Sequence, residues 1–374
     1  MNSKTFIAAS ALIGTIIGAG FLGIPYVAMQ SGFLIALIIM TVTCVLLITT
    51  MLYLGEVSLR TKTRHQLTGY AEKYLGKKGK LIMFIAVAVG LYSALVGYLI
   101  AESQSLSALF FFDANYSIYL GLAFWFLMSI LCWKGLKVLE EGASIGIILV
   151  ILLVAASSIL FWSKINPSNL TYTNLQNWYA PFGIILFSFL GFSAIPTINQ
   201  ILRKDEKLMK RTIIISYLAP LLIYSTFTAV VLGYKGASTP QIATLVLGKP
   251  FILIGIITMF TSYVALSVAL IETFRFDYKK SKFVSWILAT IIPLVLFLIL
   301  QLTKNADFIK ILGIGGVISG GLTAILALQM VKNAKKSGKR KPEYSIPYSP
   351  ILSWVLILIY VIGAIFEIIH TIIS

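Results

Sequence analysis

Apolar residues fill long blocks of this chain, and polar residues are confined to the short stretches between them. The blocks fall at about 6–29, 33–57, 80–111, 117–133, 138–161, 181–202, 209–233, 250–276, 283–302, 306–331 and 350–372. A helix of roughly 20 apolar residues crosses the hydrocarbon core of a bilayer, because each residue rises about 1.5 Å. Backbone groups in hydrocarbon must bond one another, and a helix does this internally. The pattern therefore predicts an all-α integral membrane protein of about 11 transmembrane helices. The first block has no signal-peptide cleavage site and reads as a retained span. Between the blocks the pattern predicts an amphipathic surface segment at 65–76, a short helix at 241–247, and a basic, flexible linker at 332–341.

Two blocks are interrupted in the same way. Gly20-Phe21-Leu22-Gly23-Ile24-Pro25 returns as Gly191-Phe192-Ser193-Ala194-Ile195-Pro196. Proline removes a backbone donor and glycine tolerates unusual backbone angles, so both copies mark broken helices. A break at membrane depth survives only where its freed groups face protein or a polar cavity. Paired breaks in corresponding places of two halves point to a transporter binding site. Five helices, 1–163, would form a first repeat and five more, 164–333, a second, with an added linker and helix at 334–374. Five is odd, so the second repeat enters the membrane inverted.

Charge sets the expected orientation. Of 30 Lys and Arg, 25 fall in alternate loops on one side, from Lys4 to the run at 332–341; the other side holds Lys164, Lys235, Lys249, Lys304 and Lys310. The basic side is expected to be cytoplasmic, with the N-terminus there and the C-terminus outside the cell membrane. The net charge of +17 is thereby assigned to lipid headgroups, not to nucleic acid. Composition agrees: 59% of the 374 residues are hydrophobic, 11% are charged and mean hydropathy is +0.94, which excludes a soluble domain. Cys44 and Cys132 sit in apolar blocks, and His65 and His370 lack ligand-like companions, so no disulfide framework, metal cluster or cofactor is expected.

The candidate chemistry lies at the breaks. Unwinding around Gly14, Ile16, Ile17, Gly18, Ala19, Gly20 and Phe21 would expose N–H groups suited to a carboxylate and carbonyls suited to an ammonium or a cation. The second break adds carbonyls near Phe187 and Phe189, the Phe192 ring, and Gly191 and Ser193. In the eighth block Thr258, Thr261 and Ser262, with the carbonyls of Gly14 and Ile17, would make a five-oxygen set for Na⁺; equally, the hydroxyls could bond back to their own helix. Tyr98 could face a substrate carboxylate or pack between helices. Glu102, one turn outward, is unusual in a span and is a functional candidate. Glu56 and Glu272 sit beside Arg60 and Arg275, suggesting ion pairing or gating. Glu140 and Glu141 begin the fifth span, where a carboxylate suits the helix dipole. The glycines at 313–320 suggest close helix packing.

Gly14-Thr-Ile-Ile-Gly-Ala-Gly-Phe-Leu-Gly-Ile-Pro25 is similar to the first-helix signature of the aromatic and hydroxy amino acid permeases. Phe187-Ser-Phe-Leu-Gly-Phe-Ser-Ala-Ile-Pro196, with the charged loop 204–211, resembles their sixth helix. The run Thr261-Ser-Tyr-Val-Ala-Leu-Ser-Val-Ala-Leu-Ile-Glu272 resembles their eighth. The wider group is the amino acid–polyamine–organocation superfamily, with the amino acid/auxin permeases nearby. The resemblance implies a LeuT-type fold. It also implies substrate contacts at Ile16, Gly18, Ala19, Gly20, Phe187, Phe189 and Phe192, and a sodium-type site at Gly14, Ile17, Thr258, Thr261 and Ser262. Permeases of this type are regarded as proton-coupled, whereas the hydroxyl pair is a sodium-site feature, so the coupling ion stays open between Na⁺ and H⁺. Ser193 stands where a His often follows Gly-Phe.

The expected function is secondary, cation-coupled symport of neutral, aromatic or hydroxy amino acids by alternating access. The alternative is an amino acid-binding membrane sensor without net transport. The partners expected are the amino acid and the bilayer, with no obligatory protein partner. Nothing assembles a nucleophile with a base, so an enzyme is not expected.

Overall fold

The computed structural model describes residues 3–63, 65–111, 116–134 and 137–373. The side chains of Glu140, Glu141 and His370, singled out above, lie outside the described residues. Every regular element described is helical. The first half comprises α1 (Ser3–Ile16), a 3-10 turn (Ala19–Gly23), α2 (Ile24–Ser31), α3 (Phe33–Leu59), α4 (Leu67–Phe110), α5 (Ser117–Lys134) and α6 (Lys137–Phe161). There follow α7 (Ser168–Thr171), α8 (Phe182–Ser188), a 3-10 turn (Phe192–Ala194), α9 (Ile195–Ile201) and α10 (Met209–Lys235). The chain ends with α11 (Lys249–Glu272), α12 (Lys282–Leu302), α13 (Phe308–Ser337) and α14 (Pro350–Ile373).

Eight helical stretches are long and apolar enough to cross a membrane, the pair α8–α9 counting as one, and α1–α2, bent by 50°, makes a ninth. In α5 and α14 the apolar stretches described are shorter, Ser117–Trp133 and Ser353–Ile369. Large apolar side chains remain exposed at helical spacing, such as Leu34, Ile38, Val42 and Val45 on α3. Such a stripe suits contact with lipid tails. The segment at 65–76 runs into the third block: α4 begins at Leu67 and bends at Gly76, whose φ of +74° is open to glycine and costly for other residues. The expected helix at 241–247 is a 3-10 turn, Ala243–Val246.

α13 is the central post, packed on α4, α8, α14 and α3. Its glycines serve packing, as their spacing suggested. A Cβ on Gly316 would lie 2.5 Å from the Gly183 carbonyl and 2.8 Å from the Phe187 nitrogen. Only a bare backbone lets α8 come so near.

The linker expected to be flexible is not loose. Residues 332–337 continue α13, and Glu56 on α3 holds groups on either side of the rest, Lys335 before it and Ser345 and Ile346 after it. The buried Glu56 carboxylate accepts from Arg60 Nε (2.9 Å), Lys335 Nζ (2.7 Å), Ser345 Oγ (2.8 Å) and the Ile346 N–H (2.9 Å). Arg340 donates to the Leu59 carbonyl at 2.9 Å. A buried carboxylate is tolerated when it is paired and fully hydrogen-bonded, and this one is. Lys4 reaches Asp205 at 2.5 Å, tying α1 to the loop before α10 and holding the Asp205 carboxyl below its usual range.

Candidate functional site

The two breaks fall where the repeated sequence put them, and they interlock. α1 stops at Ile16, and Gly18 is extended at φ −109° and ψ −159° before the turn into α2. α8 stops at Ser188, and the chain passes Gly191 before α9. A Cβ on Gly20 would sit 2.6 Å from Ser188 Oγ and 2.9 Å from the Phe187 ring. A Cβ on Gly191 would sit 2.8 Å from Ile16 and 3.0 Å from Leu12. Each break therefore uses a glycine to receive the last helical turn of the other.

Two tyrosine hydroxyls hold this arrangement. The Ala19 N–H donates to Tyr98 Oη at 2.8 Å. A side chain on Gly18 would collide with the Tyr98 hydroxyl. Tyr98 thus ties the first break to α4. Tyr224 of α10 points its hydroxyl at both breaks, to the Ile16 carbonyl at 3.1 Å and the Ser188 carbonyl at 3.0 Å. Those carbonyls end α1 and α8, where helical partners run out.

A cavity of about 100 Å³ opens against the breaks. Of the residues expected to contact substrate, it gathers Ile16, Gly18, Gly20, Tyr98, Phe187, Phe192 and Ser193. Ala19 is turned to Tyr98 instead. Phe21 and Phe189 face α10: Phe21 stacks on Tyr224 (5.7 Å between centroids) and meets Phe227 edge-on, while Phe189 lies edge-on to Tyr224 at 5.0 Å. Gly191 is filled from behind by Ile16 and Leu12. The rest of the cavity wall is apolar or hydroxylic, including Val87, Leu91, Ala94, Ser319 and Thr323, and no charged side chain lines it. Thr15 and Ser193 are exposed, as are Thr197 and Gln200 further along α9. That hydroxyl-bearing track leads toward a second cavity, about 390 Å³, among the basic loops, with Lys62, His65, Arg203 and Arg340 in its wall. Burial, with Lys73 nearby, pushes the His65 pKa down.

A family model for the tryptophan/tyrosine permease family matches residues 1–367. The chain belongs to that family. This bears out the sequence resemblance and identifies a multi-pass membrane permease, a transporter and not an enzyme. The chain is also 24% identical over 356 residues, 90% of each protein, to glutamine transporter 2 of Aliivibrio fischeri (strain ATCC 700601 / ES114).

In this permease the five oxygens considered for a sodium site are divided between two helices. α1 packs on α10, α9 and α6, whereas α11 packs on α4, α6 and α12. Both reach the same stretch of α6: Gly14 faces Ile147, and Thr261 Oγ1 faces Gly146. Thr258 donates to the Ile254 carbonyl (2.8 Å) and Thr261 to the Thr258 carbonyl (2.9 Å). Both threonines therefore bond back to their own helix, and each oxygen keeps lone pairs for a further contact.

Sequence reasoning passed over Tyr224, Ser188, Ser319 and Thr323. A signal existed for the first: Tyr217 and Tyr224 are seven residues apart in the seventh block, which places them on one helix face. The hydroxyls on α13 had no such mark, because their role follows from how closely α13 meets α4; a Cβ on Gly90 would collide with Ser319 Oγ.

Proposed function

We propose that this permease is a secondary transporter of neutral amino acids, taking large apolar or aromatic side chains, coupled to a cation and working by alternating access. The observation that carries this reading is the interlocked pair of breaks beside a cavity with no charged side chain in its wall. A zwitterionic amino acid needs donors for its carboxylate and acceptors for its ammonium. Helix ends supply both from the backbone, without a fixed Arg or Asp. The N–H groups of the turn beyond Ala19, whose own N–H serves Tyr98, would take the carboxylate, and the carbonyls ending α1 and α8 the ammonium. Phe187, Phe192 and Leu91 offer the side chain an apolar wall. Family membership favours tryptophan and tyrosine, and the relative's name adds glutamine; all three are neutral.

The cavity is narrower than the roughly 300–1,000 Å³ usual for pockets that enclose drug-sized ligands. A bulky side chain therefore requires the helices to part. The hydroxylic track from Ser193 to the basic loops is the exit, and the basic loops are cytoplasmic by the positive-inside rule. In this reading α5 and α14 also span, giving 11 helices: two inverted repeats, 1–163 and 164–333, followed by the strap and α14.

Uptake into proteoliposomes tests this. Radiolabelled tryptophan, tyrosine and glutamine are offered under imposed Na⁺ or H⁺ gradients. Gradient-driven accumulation of at least one is expected. Saturable binding with no flux of any amino acid would overturn transport.

A further inference from the structure

We propose that Glu102 is the proton-binding group of this permease, so that the coupling cation is H⁺; this rests on the transport reading above. Glu102 lies on α4, its side chain is fully buried, and neither carboxyl oxygen has a hydrogen-bond partner. No ion pair to it is found among the described residues. It follows Tyr98 by four residues, about 6 Å along the helix and on the same face. Helical side chains lean toward the N-terminus of their helix, so Glu102 leans over the turn that carries Tyr98. Tyr98 is the residue that fastens the broken helix, through the Ala19 N–H at 2.8 Å.

Among the described side chains, none on the elements packed on α4 reaches a Glu102 oxygen. α5, α11, α12 and α13 surround this helix. On α5, Tyr119 is 71% exposed and points outward. On α11, Tyr263 is buried with a hydroxyl that makes no hydrogen bond, and Lys249 is the first residue of the helix. α12 has no titratable residue beyond Lys282 at its first turn. On α13, Lys310 lies in the first turn, next to Asp307, whose carboxylate takes Gln241 (2.9 Å) and the Lys310 N–H (2.9 Å). Among the described residues no group of three or more His, Cys, Asp or Glu could hold a metal.

An ionised carboxylate in this setting would be buried without a partner, which is far costlier than a buried neutral acid. The arrangement therefore fits the proton-loaded form. When the proton leaves, the new anion needs a donor. The hydroxyl one turn away along α4 is that of Tyr98, whose oxygen accepts from the Ala19 N–H and whose own proton can be donated to the anion. Loss of the proton thereby pulls on the residue that clamps the first break, and binding of a proton relaxes that pull. No other bond forms or breaks; the proton comes from one face of the membrane and departs to the other.

Glu102→Gln keeps the shape and fixes the neutral state. Wild type and variant are reconstituted with a pH-sensitive dye inside, the membrane potential is clamped at zero, and tryptophan, tyrosine or glutamine is added outside. For the wild type we expect lumenal acidification with uptake, and accumulation of up to about tenfold per unit of pH gradient for one proton per substrate. For Glu102→Gln we expect amino acid exchange within about twofold of wild type, no acidification, and an accumulation ratio of one. Acidification and accumulation unchanged in the variant would overturn the proposal. So would loss of exchange along with accumulation, which would assign Glu102 to folding or substrate binding. Wild-type accumulation that follows Na⁺ and ignores pH would overturn it while leaving transport intact. A wild type that moves no amino acid would instead bring down the transport reading beneath it.

Discussion

The two broken helices share a sequence motif and differ in how they are held. The first break is pinned from two sides, by Tyr98 on α4 and by Tyr224 on α10. The second has Tyr224 alone, at the Ser188 carbonyl, and it leaves Ser193 exposed to the cavity. Sequence repetition therefore built two equivalent interruptions, and tertiary contacts gave them unequal freedom. The pinned break suits a fixed site for the common amino and carboxyl groups; the open one suits contact with the variable side chain.

The comparison breaks first at the interlock. Gly20→Leu pushes a branched side chain into Ser188 and Phe187, and Gly191→Leu does the same to Ile16 and Leu12. Each should lower kcat/KM for uptake by about a hundredfold or more, some 3 kcal/mol, measured as initial rates at equal amounts of protein in the membrane. If only one of the pair is inactive, the reciprocal packing is not what the site requires. The tyrosines come next. Tyr224→Phe loses a hydroxyl serving both breaks and should cost about tenfold in uptake, whereas Tyr98→Phe touches the first break alone. The sharper difference is in selectivity: Tyr98→Phe should weaken tryptophan, tyrosine and glutamine in equal proportion, measured as competition against one labelled substrate.

Ser193→Leu should leave the smallest neutral amino acids within about twofold and reduce tryptophan by about tenfold, since it narrows the open break without touching the pinned one. Equal loss for all substrates would remove the distinction drawn between the breaks. The smallest effect is expected outside the site. Asp205 has its carboxyl lowered by Lys4, so the pair's contribution is present above the carboxyl's ordinary range and is lost as pH falls through the depressed value. Asp205→Asn should therefore leave uptake at pH 7 unchanged and alter stability, read by thermal unfolding, only marginally.

Much of this was legible because glycine and proline leave marks that a helix cannot hide. The breaks at 18–23 and 189–194, the packing role of the glycines on α13, and the pairing of Glu56 with Arg60 all follow from residue type and spacing. The direction of the aromatic rings was not legible. At a break the helical period no longer fixes which way a side chain points, so Phe21 and Phe189 read as cavity residues although the structure turns them onto α10. The strap misled for the opposite reason. Its charge and lack of apolar period look like a mobile linker, but Glu56, far away in sequence, gathers Lys335, Ser345 and Ile346. Tyr224 needed both breaks to be brought together before its hydroxyl had a purpose.

The most direct test of the cavity between the breaks is the alkylation rate of a Ser193→Cys variant in the membrane. The native Cys44 and Cys132 are buried and give little background. With a variant that still transports, saturating tryptophan, tyrosine or glutamine should slow alkylation at position 193 by about tenfold while sparing an introduced thiol at Lys339 on the strap. Alkylation at position 193 that proceeds at the same rate with and without a transported amino acid would contradict a binding site between the two broken helices.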